Sequence, residues 1–170
     1  MKRIILFLFL SLASVLMAGA QSSKSADELL KEACAKAAKE NKNVFVMFTA
    51  SWCGWCHKMK NSMEDEEVRK YFDESFVNLY FVVDESGEKK SLETPGAAAF
   101  RTKYGGDNQG IPYWIVFNKD GIRIGDSMKP DGSPTGRINT GCPADEAEVD
   151  YFISVLKTTT GLKEDQLEKI

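Results

Sequence analysis

The chain has no excess of basic residues, which excludes one large class of partners. Among its 170 residues, 22 Lys and Arg stand against 25 Asp and Glu, and the two signs are interspersed. Without Lys2 and Arg3, which belong to a predicted signal peptide, 20 basic residues remain and the net charge is −5 with histidine neutral. Nucleic-acid binding needs a basic face that neutralises phosphates. We therefore expect no nucleic-acid partner.

Histidine is nearly absent, since His57 stands alone, and cysteine occurs only at Cys34, Cys53, Cys56 and Cys142. Structural zinc needs four nitrogen or sulfur ligands. Cys53, Cys56 and His57 would be crowded on one turn, and no second cysteine pair lies near them in the sequence. We therefore expect no metal site, and the sequence indicates no other resident cofactor.

Long apolar runs are also scarce, and the single one lies at the start of the chain. Residues 4–17 are almost all apolar, Lys2 and Arg3 precede them, and Ala18-Gly19-Ala20 follows. A basic start, an apolar run and small residues at the cleavage positions are typical of a signal peptide. We expect residues 1–20 to be cleaved and the mature protein to be periplasmic or secreted, with no stable membrane insertion.

An uncleaved membrane anchor is the alternative for this segment, because the apolar run approaches the length that spans a bilayer. The small residues at its end and the polar Gln21-Ser22-Ser23 favour cleavage. No cysteine follows the run closely enough to carry a lipid. About 150 residues then remain, which suits one compact domain. We place this domain at residues 21–160, followed by a polar tail at 161–170.

The pattern of apolar residues predicts helices and strands that alternate along the mature chain. In order, we expect a helix over 25–41, a strand over 43–49, a helix from Gly54 with a bend at 64–67, a strand over 76–83, a helix over 95–104, strands over 113–117 and 122–125, a loop over 126–141 and a helix from about Pro143. This order predicts an α/β fold, in which a central mixed β-sheet is flanked by helices on both faces.

Cys53 and Cys56 stand where the first strand becomes a helix. A helix N-terminus carries unpaired N–H groups and about half a positive charge. This charge stabilises a thiolate and lowers its pKa below the free value of roughly 8.5. Cys53 would lie at the cap, exposed and activated as a nucleophile, and Cys56 would lie one turn inward, where it can resolve a mixed disulfide. We expect these two residues to be catalytic in dithiol–disulfide exchange.

This segment resembles the active-site turn of the thioredoxin superfamily. Residues 49–56 read TASWCGWC, His57-Lys58-Met59 follows, and Ile111-Pro112 opens a later strand. The resemblance covers roughly residues 25–157, and the subgroup it suggests is the exported thioredoxin-like proteins whose Cys-Gly-x-Cys motif precedes a basic residue and Met. It implies a thioredoxin-like fold and a cis proline at Pro112, across from the reactive cysteine, with the backbone of Ile111 presented to a bound substrate strand.

The tryptophans that flank Cys53 are further candidates for substrate contact. Trp55 lies at the tip of the motif and Trp52 lies before it, and both would form an apolar rim for unfolded or extended proteins. Ordinary packing against the fold is the alternative for Trp52. With Ile111 and Pro112, these residues make up the predicted substrate-binding surface for disulfide-containing proteins.

The direction of exchange is open in the sequence. Ile111 before the proline resembles the reducing members of the superfamily, so we expect a protein-disulfide reductase supplied by an unidentified thiol donor; oxidase and isomerase remain alternatives. Two departures from thioredoxin bear on this. Gly54-Trp55 replaces Gly-Pro between the cysteines, which changes the local rigidity and the redox poise. Met47 replaces a buried Asp, so no proton acceptor for Cys56 is visible.

Two other functions fit the same residues. Cys53-x-x-Cys56-His57 is also the attachment signature of c-type haem, with Met128 as a conceivable second axial ligand. Small haem c domains are helical, whereas this motif follows a β-type run, which argues against an electron carrier. The other alternative is a binding domain that keeps the fold and the disulfide without turnover. We expect His57 itself to be a solvated residue of the first helical turn.

The remaining cysteines are Cys34 and Cys142. Cys34 lies on the apolar stripe of the first helix, which is typical of a core cysteine, and Cys142 precedes the last helix. A bond between them would stabilise the fold by a few kcal/mol. Because their helices should lie on opposite faces of the sheet, we predict that they are not paired with each other.

Overall fold

The computed structural model describes residues 24–170. The predicted signal peptide and its cleavage site lie outside the described residues. Within residues 24–170, no helix is both long enough and apolar enough to cross a membrane.

Six α-helices and six strands make up this part of the chain. The helices are α1 (Ala26–Glu40), α2 (Gly54–Met63), α3 (Arg69–Ser75), α4 (Ala97–Lys103), α5 (Glu146–Thr159) and α6 (Glu164–Leu167), and a 3₁₀ helix spans Gly87–Leu92. The strands are β1 (Asn43–Thr49), β2 (Phe76–Val82), β3 (Tyr113–Phe117), β4 (Arg123–Asp126), β5 (Met128–Pro130) and β6 (Arg137–Asn139).

The first helix begins where its local sequence predicts. The side chain of Ser25 accepts a hydrogen bond from the N–H of Glu28, and the N–H of Ser25 donates to the Glu28 carboxylate at 2.9 Å. This reciprocal capping box satisfies two N–H groups that the first turn leaves unpaired. At the other end, Asn41 adopts the left-handed conformation with φ 54° and ends the helix.

The central sheet has four strands in the order β2-β1-β3-β4. Strand β1 pairs in parallel with β2 and antiparallel with β3, and β3 pairs antiparallel with β4. Side chains of successive residues in a strand point to opposite faces. Accordingly, Val44, Val46 and Phe48 enter one buried cluster, and Phe45 and Met47 enter the other.

Helices cover both faces of this sheet. Residues of α1 and α4 belong to the first cluster, and residues of α2, α3, α5 and α6 belong to the second. At the centre of the second cluster, the fully buried Trp114 stacks on Phe45 with ring centroids 5.6 Å apart and meets Phe152 edge to face at 5.3 Å. The predicted α/β fold with a mixed sheet between two helical layers is confirmed.

One predicted loop is wrong, because residues 126–141 contain the two-stranded hairpin β5–β6. Its anchor is Asp126, which is only 4% exposed. The Asp126 carboxylate accepts hydrogen bonds from the N–H of Met128 at 2.9 Å and from the Arg137 guanidinium at 2.6 Å. A side-chain pair between residues eleven positions apart stabilises this hairpin, and no local turn signal reports such a pair.

Two predicted helix starts are also wrong. Helix α4 begins at Ala97 and not at Pro95, because Gly96 adopts φ 77° and separates the proline from the helix. Helix α5 begins at Glu146, three residues later than expected, because the side chain of Asp145 caps it by accepting from the N–H of Glu148 at 2.9 Å.

The predicted polar tail packs against the same core as the rest of the domain. Its single short helix, α6, buries Leu167 to 3% exposure. Leu162 and Ile170, on either side of α6, pack against the second cluster.

Candidate redox site

The turn between β1 and α2 sets up the candidate site. Strand β1 ends at Thr49, and the N–H of Cys53 donates to the carbonyl oxygen of Ala50 at 3.1 Å. Cys53 is the N-cap of α2, and its Sγ accepts a hydrogen bond from the N–H of Cys56 at 3.1 Å. An N-cap side chain satisfies one of the unpaired N–H groups of the first turn. The sequence therefore places a sulfur where serine or aspartate usually stands.

Cys53 and Cys56 form a disulfide, with their Cα atoms 5.3 Å apart. Both residues are buried, at 4% and 1% exposure respectively. The expectation that Cys53 is exposed is therefore wrong for this disulfide form. The cause is the loop that crosses it, because Cys53 Sγ lies 3.6 Å from the carbonyl oxygen of Ile111.

The first turn of α2 favours negative charge at Cys53. The turn contains no acidic residue, and His57 and Lys58 both follow the pair on the exposed surface. His57 is solvated as expected, and its Nε2 lies 3.1 Å from the carbonyl oxygen of Ser51. The helix dipole adds positive potential at the position of the Cys53 sulfur.

The loop before β3 lies across from the cysteines. The Ile111–Pro112 peptide bond is cis, as the resemblance implies. Asn139 on β6 fixes this loop, because its side-chain amide donates to the carbonyl oxygens of Gly110 at 2.8 Å and Pro112 at 3.1 Å. Pro112 is buried and Ile111 is half-buried.

The two tryptophans are the most exposed large apolar side chains at the site, Trp52 at 59% and Trp55 at 53%. Trp52 does not pack inside the fold; its indole N–H donates to the carbonyl oxygen of Asp84 at 2.8 Å. Trp55 carries the ammonium of Lys58 over its ring at 4.7 Å. The structure thus leaves both apolar rings open to solvent beside the cysteines.

A groove of about 290 Å³ runs beside Trp55. Its lining includes three of the four predicted substrate-binding residues; the complete set is Trp55, Ile111, Pro112, Thr140, Gly141, Cys142, Ala144 and Glu148. Trp52 does not line this groove. The structure therefore brings Trp55, Ile111 and Pro112 together and places Trp52 on the side of Asp84.

Met47 is buried at 1% exposure in the cluster that contains both cysteines. Cys56 Sγ lies 4.0 Å from the carbonyl oxygen of Phe48. A carbonyl oxygen accepts protons in hydrogen bonds but does not remove them, so this contact supplies no base. Among residues 24–170, this contact therefore does not identify a proton acceptor for Cys56.

Sequence reasoning missed a second set of polar residues at this edge. Glu85 is buried at 5% exposure and binds Ser51, and Asp84 binds Trp52. A signal for them exists in the sequence, because both lie within three residues of the end of β2. The carboxyl ends of parallel neighbouring strands meet at one edge of a sheet, where sites of α/β proteins lie.

The haem alternative does not find support in this arrangement. The sulfurs of Cys53 and Cys56 are bonded to each other. Met128 belongs to the buried cluster on the other face of the sheet from the cysteine pair. The structure therefore does not bring Met128 to His57 as an opposing ligand.

Cys34 and Cys142 are not paired with each other, as predicted. Cys34 belongs to the first cluster, and Cys142 packs against the second. Burial raises the pKa of the Cys34 thiol. Burial also raises the pKa of the Cys142 thiol, and the nearby charge of Lys58 opposes this rise.

Comparison with known proteins identifies the type of domain. A family model described as thioredoxin-like matches residues 26–119, more than half of the chain. Among curated proteins, spermatogenesis-associated protein 20 of Homo sapiens and of Rattus norvegicus are each 42% identical over 50 residues. Those residues are 29% of this chain, and the chain spans only 6% of the length of either relative.

Several solved structures are similar at low identity. A disulphide isomerase from Xylella fastidiosa Temecula1 is 21% identical with a TM-score of 0.48, over 65% of this chain and 79% of that one. A DsbH oxidoreductase is 18% identical with a TM-score of 0.46, over 79% and 83%. The oxidised C-terminal domain of DsbD from Neisseria meningitidis is 24% identical with a TM-score of 0.44, over 77% and 97%.

Proposed function

The chain belongs to the thioredoxin-like family, and from this premise we propose that it is an exported thiol–disulfide oxidoreductase that reduces disulfides of protein substrates. The observation that carries the proposal is the Cys53–Cys56 disulfide at the N-terminus of α2, where the N–H of Cys56 points at Cys53 Sγ. This position stabilises the thiolate that disulfide exchange requires.

Cys53 is the nucleophile in this proposal. In the reduced protein its thiolate attacks one sulfur of the substrate disulfide, a mixed disulfide forms, and the other substrate sulfur leaves as a thiolate. Cys56, once it has lost its proton, attacks Cys53 Sγ and releases the second substrate sulfur. Two electrons pass from the protein to the substrate, and the Cys53–Cys56 disulfide remains.

Burial and hydrogen bonding support this assignment of roles. Cys53 has the N-cap position and a donated N–H, which stabilise a negative sulfur. Cys56 is more deeply buried, and its Sγ lies 4.0 Å from the carbonyl oxygen of Phe48. A substrate disulfide therefore reaches Cys53 more easily, and Cys56 is suited to attack only after Cys53 has reacted.

We assign substrate binding to the groove beside the pair. Trp52 and Trp55 offer exposed apolar rings, and the loop at Ile111 and Pro112 borders the cysteines. An extended peptide laid against the Ile111 backbone would gain main-chain hydrogen bonds, as in β-strand addition. The occupant is thus a segment of an unfolded or extended protein that contains a disulfide.

The reducing direction rests on Ile111 before the proline, which resembles the reducing members of the superfamily. Turnover then needs a thiol donor in the same compartment that returns two electrons to the Cys53–Cys56 disulfide. We propose that this compartment is the periplasm or the exterior, reached by cleavage after Ala20, and that the mature domain begins at residue 21. The intact mass of the recovered protein tests the cleavage: a chain beginning at Gln21 supports it, and one that retains Met1 contradicts it.

Insulin reduction with dithiothreitol as donor tests the activity. The wild-type protein should accelerate the precipitation of insulin chains, and Cys53→Ser should not. Cys34→Ala is the matched control, since Cys34 lies in the cluster on the other face of the sheet. If the wild-type protein and Cys53→Ser give the same rate, the binding-domain alternative replaces the enzyme.

A further inference from the structure

Ser51, two residues before Cys53, is held from three sides. Its N–H and its hydroxyl both donate to the carboxylate of Glu85, the hydroxyl at 2.9 Å. The ammonium of Lys89 donates to the Ser51 hydroxyl oxygen at 3.1 Å. His57 Nε2 lies 3.1 Å from the Ser51 carbonyl oxygen. Every polar group of Ser51 therefore has a partner, and Glu85 receives two of the bonds.

The directions of these bonds make Glu85 an acceptor at both oxygens. The Ser51 N–H donates to Oε1, and the hydroxyl, whose oxygen already accepts from Lys89, has its own proton free for Oε2. Acceptance at both oxygens is the pattern of an ionised carboxylate. Glu85 is only 5% exposed, so this charge is shielded poorly by solvent.

The loop that carries Glu85 is fixed in place. The N–H of Val83 donates to the Thr49 carbonyl oxygen at 2.9 Å, which extends the pairing with β1 one residue beyond the end of β2. Arg101 binds the Asp84 carboxylate through two nitrogens, at 2.6 and 3.1 Å. The N–H of Glu85 itself donates to the carboxylate of Glu93 at 2.9 Å. The backbone at Glu85 is therefore fixed, and its carboxylate can leave Ser51 only by breaking both hydrogen bonds.

A fixed negative charge here acts on one redox state more than on the other. Two residues of chain span at most about 7 Å, so the Ser51 group that Glu85 binds lies close to Cys53. The disulfide carries no charge, whereas the reduced form carries a negative charge when Cys53 is a thiolate. Repulsion from the carboxylate therefore destabilises the reduced form and leaves the disulfide unaffected.

We propose that Glu85 is a positioning residue that holds Ser51 in the active-site turn and, by its charge, makes the Cys53–Cys56 pair a stronger reductant. This inference rests on the proposed function and deepens it, since it assigns the origin of the reducing bias to a residue outside the motif. Lys89 acts in the opposite sense, because its positive charge lies on the other side of the Ser51 hydroxyl. Its effect is smaller because Lys89 is exposed and screened.

Equilibration with glutathione measures the reducing strength of the Cys53–Cys56 pair without a protein substrate. The dithiol protein and one glutathione disulfide give the disulfide protein and two glutathione molecules, and acid quenching followed by alkylation counts the free thiols by mass. Glu85→Gln should lower this equilibrium constant by about tenfold or more, as expected for charges about 10 Å apart at an effective dielectric constant of about 20. Glu85→Asp, which keeps the charge, should restore a value near that of the wild type.

Two exposed neighbours provide the matched controls. Glu88→Gln removes a charge from the same loop without touching Ser51 and should change the constant by less than about twofold. Lys89→Met should raise the equilibrium constant, which is the direction opposite to that of Glu85→Gln. If Glu85→Gln does not fold, Lys89→Met tests the proposal in its place. The proposal is overturned if Glu85→Gln equals Glu88→Gln, or if Lys89→Met lowers the constant.

The same experiment separates this inference from the proposed function. A wild-type pair that equilibrates with glutathione but does not reduce insulin contradicts the reductase and leaves the effect of Glu85 measurable. If the wild-type protein reduces insulin, and the wild type and Glu85→Gln have the same equilibrium constant with glutathione, the reductase is supported and the inference is contradicted.

Discussion

The backbone N–H of Cys56 donates a hydrogen bond to Sγ of Cys53, with 3.1 Å between nitrogen and sulfur. This hydrogen bond links the N-cap residue Cys53 to Cys56 in the first turn of α2. In the reduced protein the same N–H would donate to a thiolate, and hydrogen bonds to charged acceptors are the stronger kind. The reactivity that we assign to Cys53 thus follows from a backbone group that side-chain substitutions leave in place.

The first prediction concerns the order in which the thiols of the reduced protein react. At neutral pH, iodoacetamide should label Cys53 first, because the N-terminus of α2 stabilises its thiolate. Cys34 should react among the slowest, since burial raises the pKa of its thiol and leaves little thiolate at that pH. Peptide mapping after timed quenching gives the order, and labelling in denaturant serves as the control. Faster labelling of Cys56 than of Cys53 would reverse our assignment of roles.

The second prediction concerns the apolar rim. Trp55→Ala should raise KM for a protein substrate roughly tenfold, because a well-packed tryptophan contact contributes more than about 1 kcal/mol to binding. The rate with hydroxyethyl disulfide, which is too small to span the rim, should stay the same. Ile122→Ala is the control, since Ile122 is exposed at 61% and lies beyond the end of β3. An equal loss with both disulfides would place Trp55 in the chemistry and not in binding.

The third prediction concerns the hairpin that holds the Pro112 loop. Asp126→Asn should lower the free energy of unfolding by about 1–3 kcal/mol, because it weakens a buried charged acceptor for Arg137 and Met128. Urea denaturation measures the change. Asp73→Asn offers a comparison, since Asp73 also pairs with an arginine but both side chains are exposed. If the two variants lose the same stability, the Asp126 pair does not anchor the hairpin.

The sequence predicts well where the signal is local. The capping box at Ser25 and Glu28 lies within one turn, and the unbroken apolar run of β1 reflects burial on both faces. Both features depend on residues close together in the chain, so they are readable without a structure.

Features that depend on distant residues escaped prediction. The burial of Cys53 depends on a loop 58 positions away in the chain, and the β5–β6 hairpin depends on the pairing of Asp126 with Arg137. The contact of Glu85 with Ser51 joins residues 34 positions apart. Only the parallel pairing of β1 and β2 brings those two residues together, and the register of a sheet is not visible in the motif itself.

The most direct test of the central claim is a trapping experiment with Cys56→Ser. The reduced variant, mixed with oxidised insulin or another disulfide-containing protein, should accumulate a mixed disulfide through Cys53, because the residue that resolves it is gone. Non-reducing electrophoresis detects the adduct, and peptide mass mapping locates the bond. Cys53→Ser should form no adduct under the same conditions. Our account predicts a stable, dithiothreitol-sensitive adduct at Cys53 alone. It would be contradicted if Cys53→Ser formed an adduct at Cys56 as fast as Cys56→Ser forms one at Cys53.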